Sequence, residues 1–315
     1  MNRDTAEPSR RHLLATAALV PLLPALGVLG GCASAPLSPI QAKETTDSAA
    51  LTLFNECAAA HGLNGWRRVK DVNVGYRGEW STLASRVQPE RTDTRFRSSL
   101  QERLLPAEGL IAQAHTGPTG QKQVLRRLGQ GVATGSVEVW YNGRPTSDEP
   151  LRQTSAMVAD TQRLCLLGPL ALVDRPQVMK LAGLEQVGDH ACERLMVRMV
   201  PGLGLSPVEQ LVLCIDRRTR LMRRVRFTMD GAAVTRGAVV EVDVSEFQNF
   251  QGVEWPTRFR ERMRRPVPLL PMHDWKLTGL DLNRGWSAAD IGGAQFTGLA
   301  QGAARALPGS PAPAG

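Results

Sequence analysis

Apolar residues recur at every second position over much of this chain, the period of a half-buried β-strand. Val72, Val74, Tyr76, Gly78 and Trp80 form the first such row. Between residues 81 and 145 the alternation is weaker: Thr94, Phe96 and Ser98, then Leu125 to Leu128, then Val137, Val139 and Tyr141. Gly117, Gly120, Gly129, Gly131 and Gly143 punctuate that region, which reads as a meander of strands. From Glu185 to the 260s the signal is plain. Leu195, Val197 and Met199 are followed by Leu211, Leu213 and Ile215, then by Val225, Phe227 and Met229, and then by Val240, Val242 and Val244. Trp255, Phe259 and Met263 close the series, with the alternation slipping near Pro256. Two stretches break the period. Thr46-Asp47 offers an N-cap to the Ala- and Leu-rich residues 49–60, which close at Gly62 and predict a helix. In residues 151–173, Met157, Val158, Leu164, Leu167 and Leu170 recur near helical spacing, predicting one or two helices broken at Gly168-Pro169. The fold class is mainly β (α+β), an antiparallel sheet packed on an N-terminal helix and a central helical segment.

Charges test the strand registers. A hairpin turning around residues 231–237 can set Arg226 opposite Glu241 and Arg224 opposite Asp243. A second, turning at residues 249–252, can set Asp243 opposite Arg258 and Glu241 opposite Arg260. Both leave Val225, Phe227, Val242 and Phe259 on the other face, and each facing pair contributes roughly 0.2–1 kcal/mol. The arginines thus form one solvated, ion-paired face. Across the loop at residues 201–207 the same reasoning sets Cys192 opposite Cys214 on the outer face, a candidate cross-strand disulfide. Cys57 and Cys165 fall on the predicted helices, and whether they pair is left open.

The N-terminus carries an address. Residues 13–31 are uncharged and long enough to span a bilayer, but Pro21 and Pro24 interrupt them, and prolines disrupt a helix interior. The segment follows Arg10-Arg11 and ends at small residues before Cys32, as a removable signal does. Ser9-Arg10-Arg11-His12-Leu13-Leu14 resembles the twin-arginine export signal, with Leu13 where Phe is commonest and Ala15 where Lys is common. Leu29-Gly30-Gly31-Cys32 resembles a bacterial lipobox, whose cysteine is acylated and becomes the new N-terminus. This resemblance implies a membrane partner through acyl chains on Cys32. Ala33, in place of Asp, implies the inner leaflet of the outer membrane, facing the periplasm. The expected organisation is a signal over residues 1–32, a tether over 33–45, one β domain over 46–291, and a disordered Gly/Ala/Pro tail over 292–315.

Composition adds limits. With 42% hydrophobic and 22% charged residues, the chain can build a core without metal or disulfide support. A net charge of +8 raises nucleic acid as a partner, but export argues against it. The arginines are spread along the strands, which fits cross-strand pairing or a surface beside anionic envelope lipid or peptidoglycan. The four cysteines after Cys32 form no C-x-x-C motif, so a zinc or thioredoxin-like centre has little support and neither metal nor cofactor is expected.

No catalytic residue is assigned. The chain has no G-x-S-x-G, H-E-x-x-H or P-loop motif, and Gly202-Leu203-Gly204 is a turn between strands. His61 sits at a helix C-terminus, where an imidazolium favours the dipole. His273 and Asp274 are neighbours on a strand and point to opposite faces. Asp216 heads a tight turn through Thr219. What remains is an apolar sheet face, Trp66, Trp80, Trp140, Trp255, Trp275 and Trp286, and an apolar helix to lie against that face. Such a sheet can enclose a cavity for a lipid-like ligand or be filled as ordinary core. The candidate cavity residues are Trp80, Leu195, Val197, Leu211, Leu213, Val225, Phe227, Val242 and Phe259.

Three stretches carry a family resemblance: AHGLNGW (60–66) running into the strand at 69–80, LVLCIDRRTRLMRRVRF (211–227), and QGVEWPTRF (251–259). Over residues 45–290 the chain resembles the lipoprotein-carrier superfamily of LolA/LolB-like and LppX-like proteins. That resemblance implies a curved antiparallel sheet, an open half-barrel with helices as a lid, that binds acyl chains. It implies a non-enzymatic envelope protein that binds or carries a hydrophobic ligand. The alternatives are an exported enzyme acting on a hydrophobic substrate and a structural envelope lipoprotein without ligand.

Overall fold

A computed structural model describes residues 39–175, 177–265 and 269–296. The expected export signal with Arg10 and Arg11, the expected lipidation site Cys32, the first part of the expected tether and residues 297–315 lie outside the described residues. The N-terminal helix α1 (Ser48–Ala60) and the short α2 (Leu63–Trp66) lead into β1 (Val72–Trp80). Two short helices follow, α3 (Thr82–Val87) and α4 (Pro89–Thr92). A meander β2 (Ser99–Leu105), β3 (Leu110–Gly117), β4 (Gly120–Leu128), β5 (Gly135–Tyr141) and β6 (Arg144–Pro145) comes next. The long helix α5 (Glu149–Leu167) precedes a second meander, β7 (Gln177–Val187), β8 (His190–Met199), β9 (Glu209–Asp216) and β10 (Met222–Thr228). It continues through β11 (Val239–Phe250), β12 (Val253–Arg265) and β13 (Leu270–Leu282) to a last short helix, α6 (Ala288–Ile291).

All 13 strands form one antiparallel sheet, in the order β6-β5-β4-β3-β2-β1-β13-β12-β11-β10-β9-β8-β7. Each meander grows outward from the β1–β13 seam, so β6 and β7 end at opposite edges. The edges are not bonded to each other, and the half-barrel is open. The chain must cross from one edge to the other between β6 and β7, and α5 makes that crossing. Asp148 starts it by accepting the Leu151 N–H at 3.0 Å, with Pro150 in the first turn where no amide donor is needed. Gly168, at φ +54, ends it. Nearly every residue from Thr154 to Leu167 is buried, since the crossing runs inside the sheet's concavity.

The expected elements recur with three corrections. Thr94, Phe96 and Ser98 lie in the loop after α4 and are not in a strand; the chain before them folds into α3 and α4, with Ser81 capping Ala84 N at 3.1 Å. The β11–β12 hairpin turns on Gln251 and Gly252, whose φ values of 53° and 77° define a two-residue primed turn. Asp243 therefore faces Arg260 and Glu241 faces Arg262, two residues beyond the expected pairing. Order continues past residue 292, because Phe296 is buried and stacks under the Arg103 guanidinium at 4.4 Å. The β10–β11 register is as expected, with Arg224 opposite Asp243 and Arg226 opposite Glu241.

The outer face of β10–β13 is ion-paired. Glu241, 1% exposed, lies among Arg226 at 3.1 Å and Arg262 and Arg264 at 3.3 Å, and Asp243 binds Arg262 at 2.6 Å. Facing carboxylates balance the arginines of this patch.

The segment AHGLNGW docks α1 and α2 on the β11–β12 turn. A β-carbon at Gly62, at φ +86, would lie 2.0 Å from the Gly252 carbonyl oxygen, and one at Gly65 would lie 2.5 Å from it. Glu254 N–H donates to the His61 carbonyl at 3.1 Å. The two glycines permit this approach of backbone to backbone.

Candidate functional site

Alternation along the strands sends two different sets of side chains into the concavity. On β8 to β12 the inward rows are apolar: Leu195, Val197, Leu211, Leu213, Val225, Phe227, Val242 and Phe259 are all at most 2% exposed and share one cluster. Met157, Leu164, Cys165 and Leu167 of α5, with Leu53, Phe54 and Cys57 of α1, fill the space against them. Of the two arrangements left open for these residues, a cavity or an ordinary core, the second is seen: the protein's own helices occupy the space. The hollow that touches Phe227 and Val242 has a volume of ≈ 10 Å³, about one water molecule. Trp80, expected with this group, lines the same hollow as Phe227 and Val242. It belongs to a smaller cluster with Ala84, Met263 and Leu270.

The β1–β5 side of the concavity is polar, and sequence reasoning missed it. Glu102, Gln113, His115, Lys122 and Arg126 occupy inward rows, and Glu261 and His273 join them from β12 and β13. All are buried or nearly so. The signal was present in the parity: Glu102 alternates in phase with Leu100 and Leu104, and Lys122 and Arg126 with Val124. The α4 region and the loop after it cover this half and bring Arg91, Asp93 and Arg97, while α5 brings Asp160 and Gln162.

The polar groups are linked in small networks. Arg91 pairs with Glu261. Asp93 accepts from Lys122 Nζ and from the Tyr141 hydroxyl, both at 2.8 Å. Gln113 donates to Glu102 and, at 2.7 Å, to Gln162 Oε1. Arg126 and Asp160 form a two-pronged pair at 3.1 and 2.9 Å, tying β4 to α5. Trp80 stacks on His273 at 3.9 Å, His273 on Trp275 at 4.7 Å, and Trp275 on Phe259 at 5.1 Å. This aromatic column joins the polar half to the apolar half.

Burial dominates the electrostatics. It raises the Glu102 carboxyl to about 7, against hydrogen bonds from Gln113 and Tyr76. It lowers Lys122 to about 8, with Asp93 opposing, and Arg97 to about 10. His115 and His273 are held well below the usual imidazole range by burial and by Arg97.

The remaining expected residues resolve as follows. Asp274 points away from His273 and pairs outside with Arg258 at 2.6 Å. Asp216 shapes its turn by accepting the Arg218 N–H at 2.8 Å, and it also binds His190 Nδ1 at 2.7 Å. His61 is not an imidazolium at a helix end. It is buried, it accepts the Met222 N–H at Nε2 over 2.9 Å, and burial with Arg223 lowers it to about 3. Cys192 and Cys214 are free thiols, as are Cys57 and Cys165. The β8–β9 loop runs on through Val208, so Cys192 faces Asp216 and Cys214 faces Arg194, which sets the two cysteines diagonally. Burial pushes the Cys192 thiol up to about 11, which leaves it protonated at neutral pH and a poor nucleophile beside His190. Among the described residues no group of His, Cys, Asp and Glu could hold a metal ion, and no helix is long and apolar enough to cross a membrane.

No protein-family model and no curated protein sequence matches this chain. Solved structures with a similar arrangement include a DUF1329 family protein from Desulfovibrio piger, 13% identical with a TM-score of 0.48, over 79% of this chain and 98% of that one. A LolA superfamily protein from Nitrosomonas europaea is 12% identical with a TM-score of 0.46, over 77% of this chain and 97% of that one. At such identities no residue role passes from one chain to the other.

Proposed function

We propose that this chain is an envelope lipoprotein, held to the outer membrane through acyl chains on Cys32, that binds or carries a hydrophobic ligand such as a lipid or an acyl chain. The observation that carries the reading is the cover of the apolar rows. A single helix crosses an open sheet whose edges are unbonded, and an apolar ligand can take the place of part of that helix. An acyl chain recovers about 0.8 kcal/mol for each methylene it buries, which offsets part of the contacts the helix gives up. Met157, Met179, Met199, Met222 and Met229 belong to the same cluster, and unbranched methionines refit readily around a new occupant.

Native mass spectrometry tests the reading on the chain exported in a bacterial host with Cys32→Ser and purified without detergent. A lipid-sized excess mass released by organic solvent is expected. A clean apo mass that stays clean after incubation with phospholipid vesicles would favour the structural lipoprotein, a reading supported by how tightly α5 fills the space. A metal or redox group in the excess mass would favour an enzyme.

A further inference from the structure

In the buried polar half, one guanidinium has no carboxylate in direct contact. Arg91 is paired with Glu261 and Lys122 with Asp93. Arg97, 8% exposed, has no carboxylate within ion-pair reach among the described residues; its guanidinium donates to the Arg91 carbonyl oxygen and lies 5.0 Å over the Trp80 ring. Three residues that line one hollow, Arg97, Arg91 and Trp80, each carry a buried donor (Nε, Nε and Nε1) without an acceptor among the described residues. Buried donors are nearly always satisfied, and a group of them beside a guanidinium with no carboxylate in contact leaves a place for an acceptor, most favourably a charged one.

The hollow at these donors has a volume of ≈ 10 Å³, and a second of ≈ 20 Å³ shares Trp80, Arg97, Gln162, His273 and Trp275 with it. Gln162 of α5 lines both. Val158, Cys165, Phe227 and Val242 wall the first hollow on its other side, so the orphan donors border the apolar rows directly. The second hollow reaches Gly78 and the exposed Ser98. A β-carbon at Gly78 would lie 2.7 Å from His273 Nε2, so glycine keeps that side clear.

We infer that Arg97, with Trp80 and Arg91, receives the oxyanion of an amphiphile, a phosphate or carboxylate headgroup, whose apolar chain lies along the β8–β12 rows. The inference rests on the proposed carrier function, since a headgroup larger than water enters only when α5 and Gln162 give way. Asp93 and Glu261 act on Arg97 from a distance but are each in contact with another cation, Lys122 and Arg91, while His115 and His273 line the second hollow as neutral imidazoles.

Binding to the full chain with Cys32→Ser tests it, using dodecyl phosphate, dodecanol and inorganic phosphate as probes. Dodecyl phosphate should bind more tightly than dodecanol. Arg97→Gln should weaken dodecyl phosphate by about 10- to 100-fold, as expected for a lost charge-assisted contact, and leave dodecanol unchanged. Arg97→Lys should recover part of the loss. If Arg97→Gln melts early, Trp80→Phe keeps the ring, removes one orphan donor, and should still lower dodecyl phosphate affinity several-fold. Equal binding of dodecyl phosphate and dodecanol, both indifferent to Arg97→Gln, overturns the headgroup site and leaves the carrier function standing. Failure of the unaltered chain to bind either amphiphile overturns the carrier function. Inorganic phosphate binding as tightly as dodecyl phosphate, and lost in Arg97→Gln, overturns the headgroup assignment in favour of a free oxyanion.

Discussion

Asp160→Asn should loosen the helix that crosses the concavity. Asp160 is buried, and its carboxylate accepts from Arg126 Nε at 3.1 Å, from Arg126 Nη2 at 2.9 Å and from the Gly204 N–H at 2.8 Å. Arg126, 1% exposed, also donates to the carbonyls of Arg127, Ser136 and Gly204. One ion pair thus joins β4, α5 and the β8–β9 loop. Asparagine keeps the shape, removes the charge, and turns an amide group toward donors that need an acceptor. The guanidinium stays buried and uncompensated, which costs about 3–5 kcal/mol. For a domain of this size that loss lowers the melting temperature by roughly 6–20 °C. Thermal unfolding followed by circular dichroism reads the total. Amide hydrogen exchange along residues 154–167 then tells whether α5 opens before the rest, since a local loss of that size speeds exchange by about two to three powers of ten. The double replacement Arg126→Met/Asp160→Leu removes both charges and should recover most of the stability. A fall of less than about 2 °C in Asp160→Asn, or a double variant as unstable as the single, would refute the clamp, because a buried unpaired charge cannot be that cheap.

Three further outcomes are expected. Gly62→Ala should destabilise by more than about 4 kcal/mol and abolish cooperative melting, since φ +86 and a contact of 2.0 Å to the Gly252 oxygen add strain to clash. His61→Gln retains an acceptor for the Met222 N–H while removing a titrating group. The folded imidazole titrates at about 3 against 6.5 when free, so its contribution is present above pH 6.5 and lost as pH falls toward 3. The variant's melting temperature should therefore fall less steeply below pH 6.5 than the parent's. Glu102 behaves in the opposite sense: raised from 4.5 to about 7 in the fold, it favours the folded state below pH 4.5 and loses that contribution as pH rises through 7. Glu102→Gln should gain stability relative to the parent at pH 8 compared with pH 5, measured by urea unfolding at both values; an equal difference at the two pH values would remove Glu102 from the account.

Short-range physics wrote much of this architecture directly into the sequence. The period of two in Val72 to Trp80, Leu195 to Met199 and Val240 to Val244 specifies strands, because successive side chains of an extended backbone leave opposite faces. The charge pattern was enough to pair Arg226 with Glu241, since the intervening loop leaves that register open and the opposite charges select it. It was not enough for β11–β12, where moving the pairing by two residues keeps every side chain on its face and exchanges one arginine for another. The turn at Gln251-Gly252 decided that register, through backbone angles that charge cannot reveal.

The polar half of the concavity was legible only as an anomaly of parity. Glu102, His115, Lys122 and Glu261 sit where apolar residues would serve a core, yet each reads from sequence alone as an ordinary polar residue of a strand. Burial depends on what covers a row, and the cover comes from α4, the loop after it and α5, tens of residues away in the chain. The same holds for the apolar rows. Their side chains were evident from alternation, but whether they enclose a space or are filled was set by α5, whose path across the sheet follows from the strand order. Local sequence determines element type and face, because those rest on neighbours three or four residues away. Volume, burial and the lack of a carboxylate in contact with Arg97 are properties of surfaces brought together by the whole chain, and only the tertiary structure decides them.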